Sequence, residues 1–295
     1  MLDLAQNTLD GIAAGAAYAL LAIGFTLIFG VMRRLNIAFG PSIMVGVFLG
    51  AWVHAQWSAG LIGAAAATFA GVLIASVYVE RLSFAAIRGD AALASMASSF
   101  ALWMQLEQGV ALAFPGRTTA FPTLPQLPDV RFAGLFLGGD DLLVFAVAGA
   151  VLLLLHRLIY HSHFGLEMRA LADSPEAAAV SQVNTRRVAF LTFCLAALVG
   201  AVAGMLIAAT DGQITPKFGL WATMKGLIAM MIGGLGSLRG ALLGGLALGI
   251  IEAQAQWYLG AAAREIVVYG FLFLCLIALP GGMAGVRETG AERKL

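Results

Sequence analysis

The sequence predicts an all-α polytopic membrane protein of about eight to ten transmembrane helices. Three observations carry that expectation. Of 295 residues, 61% are hydrophobic and 11% charged, with 36 glycines besides, whereas soluble domains carry about 25% charge. Apolar runs of roughly 20 residues, enough to cross a hydrocarbon core of about 30 Å, recur along the whole chain. Lys and Arg gather at every second connection between those runs. Such a chain cannot cover a globular surface with polar groups, which excludes a soluble enzyme, a disordered protein and a secreted disulfide scaffold. A net charge of +1 gives no reason to expect a nucleic-acid partner.

Taken in order, the first run covers residues 11–32. Asp3 and Asp10 precede it without any Lys or Arg, the reverse of a signal-peptide leader, so the segment is expected to stay as a span. The next runs are 37–57, 59–79 and 91–114. A polar segment at 115–141 follows, with Pro115, Pro122, Pro125, Pro128, Gly138, Gly139, Asp140 and Asp141; it reads as an ordered irregular lid. The fifth run is 142–158, and a second polar segment occupies 159–187. The remaining runs are 188–210, 218–235, 240–259 and 265–280. The seventh is short and ends in glycines, the pattern of a broken or re-entrant helix. All nine are expected to form one transmembrane domain over 1–295.

The charges orient these spans. With the N-terminus outside, Arg33, Arg34, Arg81, Arg88, Arg157, Arg169, Arg186, Arg187, Arg239, Arg287, Arg293 and Lys294 fall inside, and Arg117, Arg131, Lys217, Lys225 and Arg264 do not. Inner loops carry the excess of Lys and Arg, so the expected topology is nine crossings with the C-terminus inside. The segment 115–141 is then external and 159–187 internal. In the latter, Ser174-Pro175-Glu176 is a helix start, with Ser174 as N-cap, Pro175 in the first helical position and Glu176 in the first turn. A short helix over 177–183, stopped near Asn184 and flanked by Arg169, Arg186 and Arg187, reads as a docking element for a soluble partner.

Small residues four apart let membrane helices approach closely, and the pairs Gly11 and Gly15, Gly46 and Gly50, Gly200 and Gly204, Gly240 and Gly244, Gly245 and Gly249 predict a tightly packed bundle. Residues 24–50 and 226–249 share a glycine–arginine–glycine layout, read either as an internal repeat or as chance similarity in Gly-rich sequence. The stretch 233–240 lacks the spacing of a phosphate loop and reads as a tight turn. His54, His156, His161 and His163 have no metal-ligand spacing, and Cys194 and Cys275 lie in apolar runs as small hydrophobes.

Polar groups inside the spans are costly and usually face a cavity or a partner. They are Asn36 and Ser42, then Ser95, Ser98, Ser99, Gln105, Glu107 and Gln108, then Lys225, then Glu252, Gln254 and Gln256. Lys225 and Glu252 fit two readings, a structural ion pair or a role on the substrate path. No line of carboxylates crosses the membrane as a proton relay would need, so the energy is expected from a soluble partner.

The chain resembles the permease subunits of branched-chain amino acid type ABC importers. Tyr18 to Gly30 is similar to the family's first core helix, and Asn36-Ile37-Ala38-Phe39-Gly40 to its N-[FL]-A-H-G turn, with Phe39 where His is usual. Gly165-Leu166-Glu167-Met168-Arg169-Ala170 through Ala177-Ala178 to Asn184 resembles the coupling loop, with Gln182 where Gly is expected. Met224-Lys225-Gly226 with Ile232-Gly233-Gly234-Leu235-Gly236-Ser237, then Glu252-Ala253 and Leu279-Pro280-Gly281-Gly282, continue the match.

The resemblance implies a second permease subunit, a copy or a relative, two cytoplasmic ATP-binding subunits that hold ATP and Mg, an external solute-binding protein and a place in the bacterial inner membrane. It implies no cofactor and no enzymatic activity in this chain. Gly165, Glu167, Arg169, Ser174, Pro175, Glu176, Ala178 and Asn184 become the ATPase-contacting element, with 174–183 as coupling helix. Asn36, Ser42, Ser99, Gln105, Lys225 and Glu252 are candidates for the substrate path. Family substrates are branched-chain and other amino acids, urea, short amides and aromatic acids. A secondary carrier driven by an ion gradient is the alternative, and a membrane-embedded enzyme or channel would need paired catalytic side chains that the sequence does not offer.

Overall fold

The computed structural model describes residues 2–87, 92–114, 118–125, 128–132, 135–279 and 281–284. Arg88, Ala91, Pro115, Arg117, Pro280, Arg287, Arg293 and Lys294, used in the reading above, lie outside the described residues. Among those described, nine helices have 16 residues or more: α1 Leu2–Met32, α2 Phe39–Trp57, α3 Leu61–Val79, α4 Ala92–Ala113, α5 Gly139–His161, α8 Thr185–Asp211, α9 Phe218–Gly233, α10 Leu238–Leu259 and α11 Ala261–Ala278. They follow the nine apolar runs to within four residues at each end, except that α1 begins at Leu2, nine residues before its run. Two short helices, α6 His163–Asp173 and α7 Pro175–Val180, stand between α5 and α8.

By length and composition six are able to cross a membrane: α1, α3 with its extension to Ala85, α5, α8, α10 and α11. α2 and α4 have 19 and 22 residues but include His54 and Gln56, or Gln105, Glu107 and Gln108. At 16 residues, α9 is about 24 Å long, short of a core of about 30 Å.

The bundle is organised around α1, which is buried along most of its length. Its closest partner is α10, and glycine makes the approach possible. A Cβ on Gly249 would strike the Gly11 carbonyl oxygen, and one on Gly245 would strike the backbone of Ala19. Such backbone contact lets two helices gain dispersion energy where lipid supplies no hydrophobic drive. The other glycine pairs seat other neighbours: Gly46 and Gly50 of α2 face Thr68 and Val72 of α3, and Gly200 and Gly204 of α8 receive Phe39 and Ile43. The two glycine–arginine–glycine stretches thus pack against different partners.

Between α1 and α2 the chain does not make a simple surface turn. After Arg33, which is left-handed at φ 50°, residues 34–38 run unwound, and the Phe39 ring lies against Gly24 and on Phe25 at 4.7 Å between ring centres. Gly24 is eight residues above the end of α1, roughly 12 Å along its axis. The connection has therefore climbed back into the bundle before α2 starts. There α2 meets the start of α9, since a Cβ on Gly40 would collide with the Gly219 carbonyl and Thr223.

The lid expected at 115–141 is less irregular than its prolines imply. β1 Thr119–Ala120 pairs antiparallel with β4 Gln213–Ile214, and β2 Val130–Phe132 with β3 Leu135–Leu137. Gln6 of α1 exchanges hydrogen bonds with the Phe136 backbone at 2.7 and 2.8 Å, and Phe121 and Leu124 are buried.

At the opposite end, α6 was not expected. Ser162 caps it, accepting from the Gly165 N–H at 3.0 Å, and Gly165, Met168 and Leu171 form its buried face. The following helix begins as expected, with Ser174 Oγ accepting from the Ala177 N–H at 3.3 Å and Pro175 in the first position. It ends earlier than expected, at Val180, because Gln182 is left-handed at φ 62° and the Val183 N–H turns back to the Ala178 carbonyl at 3.1 Å.

Candidate functional site

The unwound stretch after α1 ties four elements together through hydrogen bonds from consecutive residues. Arg33 Nη2 donates to the carbonyls of Ala172 and Asp173, at 3.2 and 3.3 Å. Those are the last carbonyls of α6, which have no partner within their own helix and carry its negative dipole end. Arg34 Nη1 donates to the Ile87 and Phe84 carbonyls at 3.2 and 3.5 Å and to Ser95 Oγ at 3.0 Å, which joins the π-helical turn Glu80–Ala85 beyond α3 to the start of α4.

Three residues further, the Ile37 N–H donates to Ser99 Oγ at 3.3 Å, and the Ile37 carbonyl accepts from Thr223 Oγ1 of α9 at 3.4 Å. Asn36 Oδ1 accepts from the Ala38 N–H at 3.1 Å, and Ser42 Oγ donates to the Ala38 carbonyl at 2.8 Å. Asn36 is 2% exposed, and among the described residues its Nδ2 has no hydrogen-bond partner. Unwound backbone beside broken or short helices is the usual setting of a transport site.

A second polar centre lies on the other face of α9. Lys225 Nζ is 3.0 Å from Glu252 Oε2 and 3.3 Å from Glu265 Oε1. Arg264 Nε lies 3.3 Å from Glu252 Oε1, and its Nη2 3.4 Å from Glu265. Lys225 and Glu252 are almost wholly buried, at 1% and 6% side-chain exposure. Two cations and two carboxylates balance, so the cluster is neutral and pins α9, α10 and α11 to one another.

The segment from α6 to α7 also has two kinds of residue. Leu166, Glu167, Pro175, Glu176 and Val180 are exposed. Ala178 is 2% exposed and Gly165 is buried with no room for a Cβ beside the Leu158 and Ile159 carbonyls. These two hold the segment against the bundle and present nothing outward. Asn184 caps α8, its Oδ1 accepting from the Arg187 N–H at 3.0 Å.

Set beside known proteins, residues 7–277 match the family model described as branched-chain amino acid transport system / permease component. The chain belongs to this permease family. It is 31% identical to the high-affinity branched-chain amino acid transport system permease protein LivH of Salmonella typhimurium over 310 aligned positions, which cover 96% of each chain. It is 30% identical to the corresponding protein BraD of Pseudomonas aeruginosa over 299 positions, again 96% of each. Among solved structures, the chain's fold is similar to that of a chain in PsaBC from Streptococcus pneumoniae in complex with Fab, with a TM-score of 0.50, 11% identity and 90% of each chain covered.

The permease's expected path residues separate into three places. Asn36, Ser42 and Ser99 come together at the α1–α2 break, joined by Thr223, whose part the sequence did not reveal. Lys225 and Glu252 are brought together as an ion pair, along with Arg264 and Glu265, which sequence reasoning missed. Equal spacing about the reversal at Gly260 pairs Arg264 with Gln256, whose Oε1 accepts from Arg264 Nη1 at 3.3 Å. Glu252, eight residues before the turn, is reached one helical turn deeper, which the spacing does not announce. Gln105 joins neither centre, since its Oε1 accepts from the Tyr78 hydroxyl at 2.9 Å on an exposed face.

Proposed function

We propose that this permease forms half of the translocation path of an ATP-driven importer for branched-chain amino acids or related small polar solutes. It does so as one of two paired permease subunits in the bacterial inner membrane, with nine membrane helices, α9 being short of a full crossing, the N-terminus outside and the C-terminus inside. Two cytoplasmic subunits bind and hydrolyse ATP with Mg and dock on Leu166, Glu167, Pro175, Glu176 and Val180 of α6 and α7. An external solute-binding protein delivers substrate at the β1–β4 end. Asn36, Ser42, Ser99 and Thr223 line the path.

The observation that supports this reading most directly is the pair of hydrogen bonds from Arg33 to the last turn of α6. Three residues on, the same strand of backbone holds the unpaired Asn36 amide. A displacement of α6 by an ATPase therefore acts on the polar crossing through six residues of chain. The Lys225–Glu252 pair has the geometry of a structural anchor, with its charges satisfied inside the bundle, and so it stands outside the path.

The test is uptake in proteoliposomes containing the permease with its ATPase and binding-protein partners. Uptake that needs ATP and is lost in Glu167→Arg, with the complex still assembled, supports the reading. Uptake by the permease alone, driven by an ion gradient, overturns it.

A further inference from the structure

Two adjoining cavities at the α6 end of the bundle belong to neither polar centre. The larger, of about 440 Å³, lies among α1, α5, α6 and the start of α10, and Arg169 and Arg239 both line it. The smaller, of about 270 Å³, continues between α1, α5 and α10 and is almost wholly apolar, with Ile23, Leu152, Leu155 and Leu242 on its walls. Ile159, Tyr160, Leu238 and Arg239 are common to both. We propose that this composite groove is a binding site for one anionic phospholipid of the cytoplasmic leaflet, with its phosphate at Arg239 and Arg169 and an acyl chain in the apolar arm. The proposal rests on the orientation given above, in which α6 faces the cytoplasm.

Length, setting and charge each point to this occupant. From Leu152 to the end of α5 at His161 is nine residues, about 14 Å, so the apolar arm reaches from the helix end to about half the depth of a core of about 30 Å. One of its walls is Leu153 of α5, which is 73% exposed, so the arm adjoins an apolar outer face of the bundle at membrane depth. The basic end matches a phosphate. Neither Arg169 nor Arg239 is in an ion pair among the described residues. Arg169 spends one N–H on the Gly165 carbonyl at 3.4 Å and stacks over Tyr160 at 5.4 Å, out of five N–H groups. The carboxylate at the larger cavity, Asp173, is exposed and likewise unpaired among the described residues. Basic pockets between helices at the cytoplasmic surface are where anionic headgroups are held.

Native mass spectrometry of the purified full transporter, titrated with phosphatidylglycerol or phosphatidylcholine of identical acyl chains, reads the site directly. The expected result is at least one tightly retained phosphatidylglycerol per permease, with phosphatidylcholine retained about fivefold less. Arg239→Gln should remove that preference, Leu242→Trp should lower retention of both lipids by filling the apolar arm, and Arg157→Gln, on an exposed arginine of α5 outside the groove, should change neither. Equal retention of the two lipids by the wild type, needing no variant, overturns the proposal. So does a loss in Arg157→Gln equal to that in Arg239→Gln, which would mark diffuse surface attraction. Labelling of a cysteine introduced at Glu167 from each side of the membrane reads the orientation separately, so failure of the lipid site and failure of the topology are distinguishable.

Discussion

Arg33 and Ala172 are 139 residues apart in the chain and joined by a hydrogen bond of 3.2 Å. One belongs to the connection that re-enters the bundle and the other to the last turn of α6, so the polar crossing and the segment proposed to dock the ATPases share a contact.

Replacing Arg33 by Ala removes a cation from the carbonyl end of α6, an interaction of about 0.3–1 kcal/mol, too small to unfold the permease. The expected outcome is a complex that assembles and hydrolyses ATP while substrate no longer stimulates hydrolysis and uptake falls. Stimulation and uptake at the wild-type level would remove Arg33 from the coupling path.

On the docking segment, Glu167→Arg and Ala178→Trp should both abolish uptake, for different reasons. Glu167 is exposed, so the reversal acts only on the partner, and the permease alone should melt as the wild type does. Ala178 is 2% exposed, and overpacking there should cost about 1–3 kcal/mol, visible as a lower melting temperature of the isolated permease. A Glu167→Arg permease that is itself destabilised argues against the docking assignment.

The neutral cluster makes a prediction about pairs. Lys225→Met leaves Glu252 buried without its nearest cation, a loss of about 3–5 kcal/mol. The double variant Lys225→Met with Glu252→Leu should recover part of it, though Arg264 and Glu265 must re-pair. Thermal unfolding in detergent compares the three. No recovery in the double variant would mean that the pair is more than an anchor.

At the α1–α10 contact, Gly249→Leu must push the two backbones apart and should abolish accumulation of the permease in the membrane. Gly109→Ala on α4, where a Cβ meets nothing within 4 Å, should leave its level unchanged. Comparable levels for both variants would show that the close approach is dispensable.

If Asn36 lines the path, Asn36→Ala should lower uptake at least tenfold with the complex intact, and Asn36→Asp should alter which solutes are carried. The variant also removes the Oδ1 that accepts from the Ala38 N–H, a loss of about 1–3 kcal/mol, so assembly of the complex is measured beside uptake. A stable Asn36→Ala permease with unaltered uptake would place the path elsewhere.

Much of this was legible in the residues. Apolar runs bounded by arginine gave the nine helices nearly to their ends, because desolvation and backbone satisfaction act locally along a span. Ser174 and Pro175 announced α7 because capping is local chemistry too. By contrast α6 is not legible as a span: Phe164, Met168 and Leu171 recur at helical spacing, but eleven residues among His, Glu, Arg and Asp read as part of a polar connection. Sequence distance also concealed which polar groups meet: Ser99 and Thr223 reach Ile37 from helices far along the chain, and Gln105, on the same helix as Ser99, ends on an exposed face with Tyr78.

The sequence by itself determined that lipid is the solvent, where the spans lie, and that Ser174 and Pro175 open a short helix in the polar segment between α5 and α8. Only the tertiary structure decided that Lys225 and Glu252 neutralise each other, that Ala178 points inward, and that the α1–α2 connection climbs back into the bundle. The reason is physical: burial and helix formation are paid residue by residue along the chain, whereas the partner of a buried charge or amide is set by how helices cross, and here glycine contacts between distant helices set that crossing.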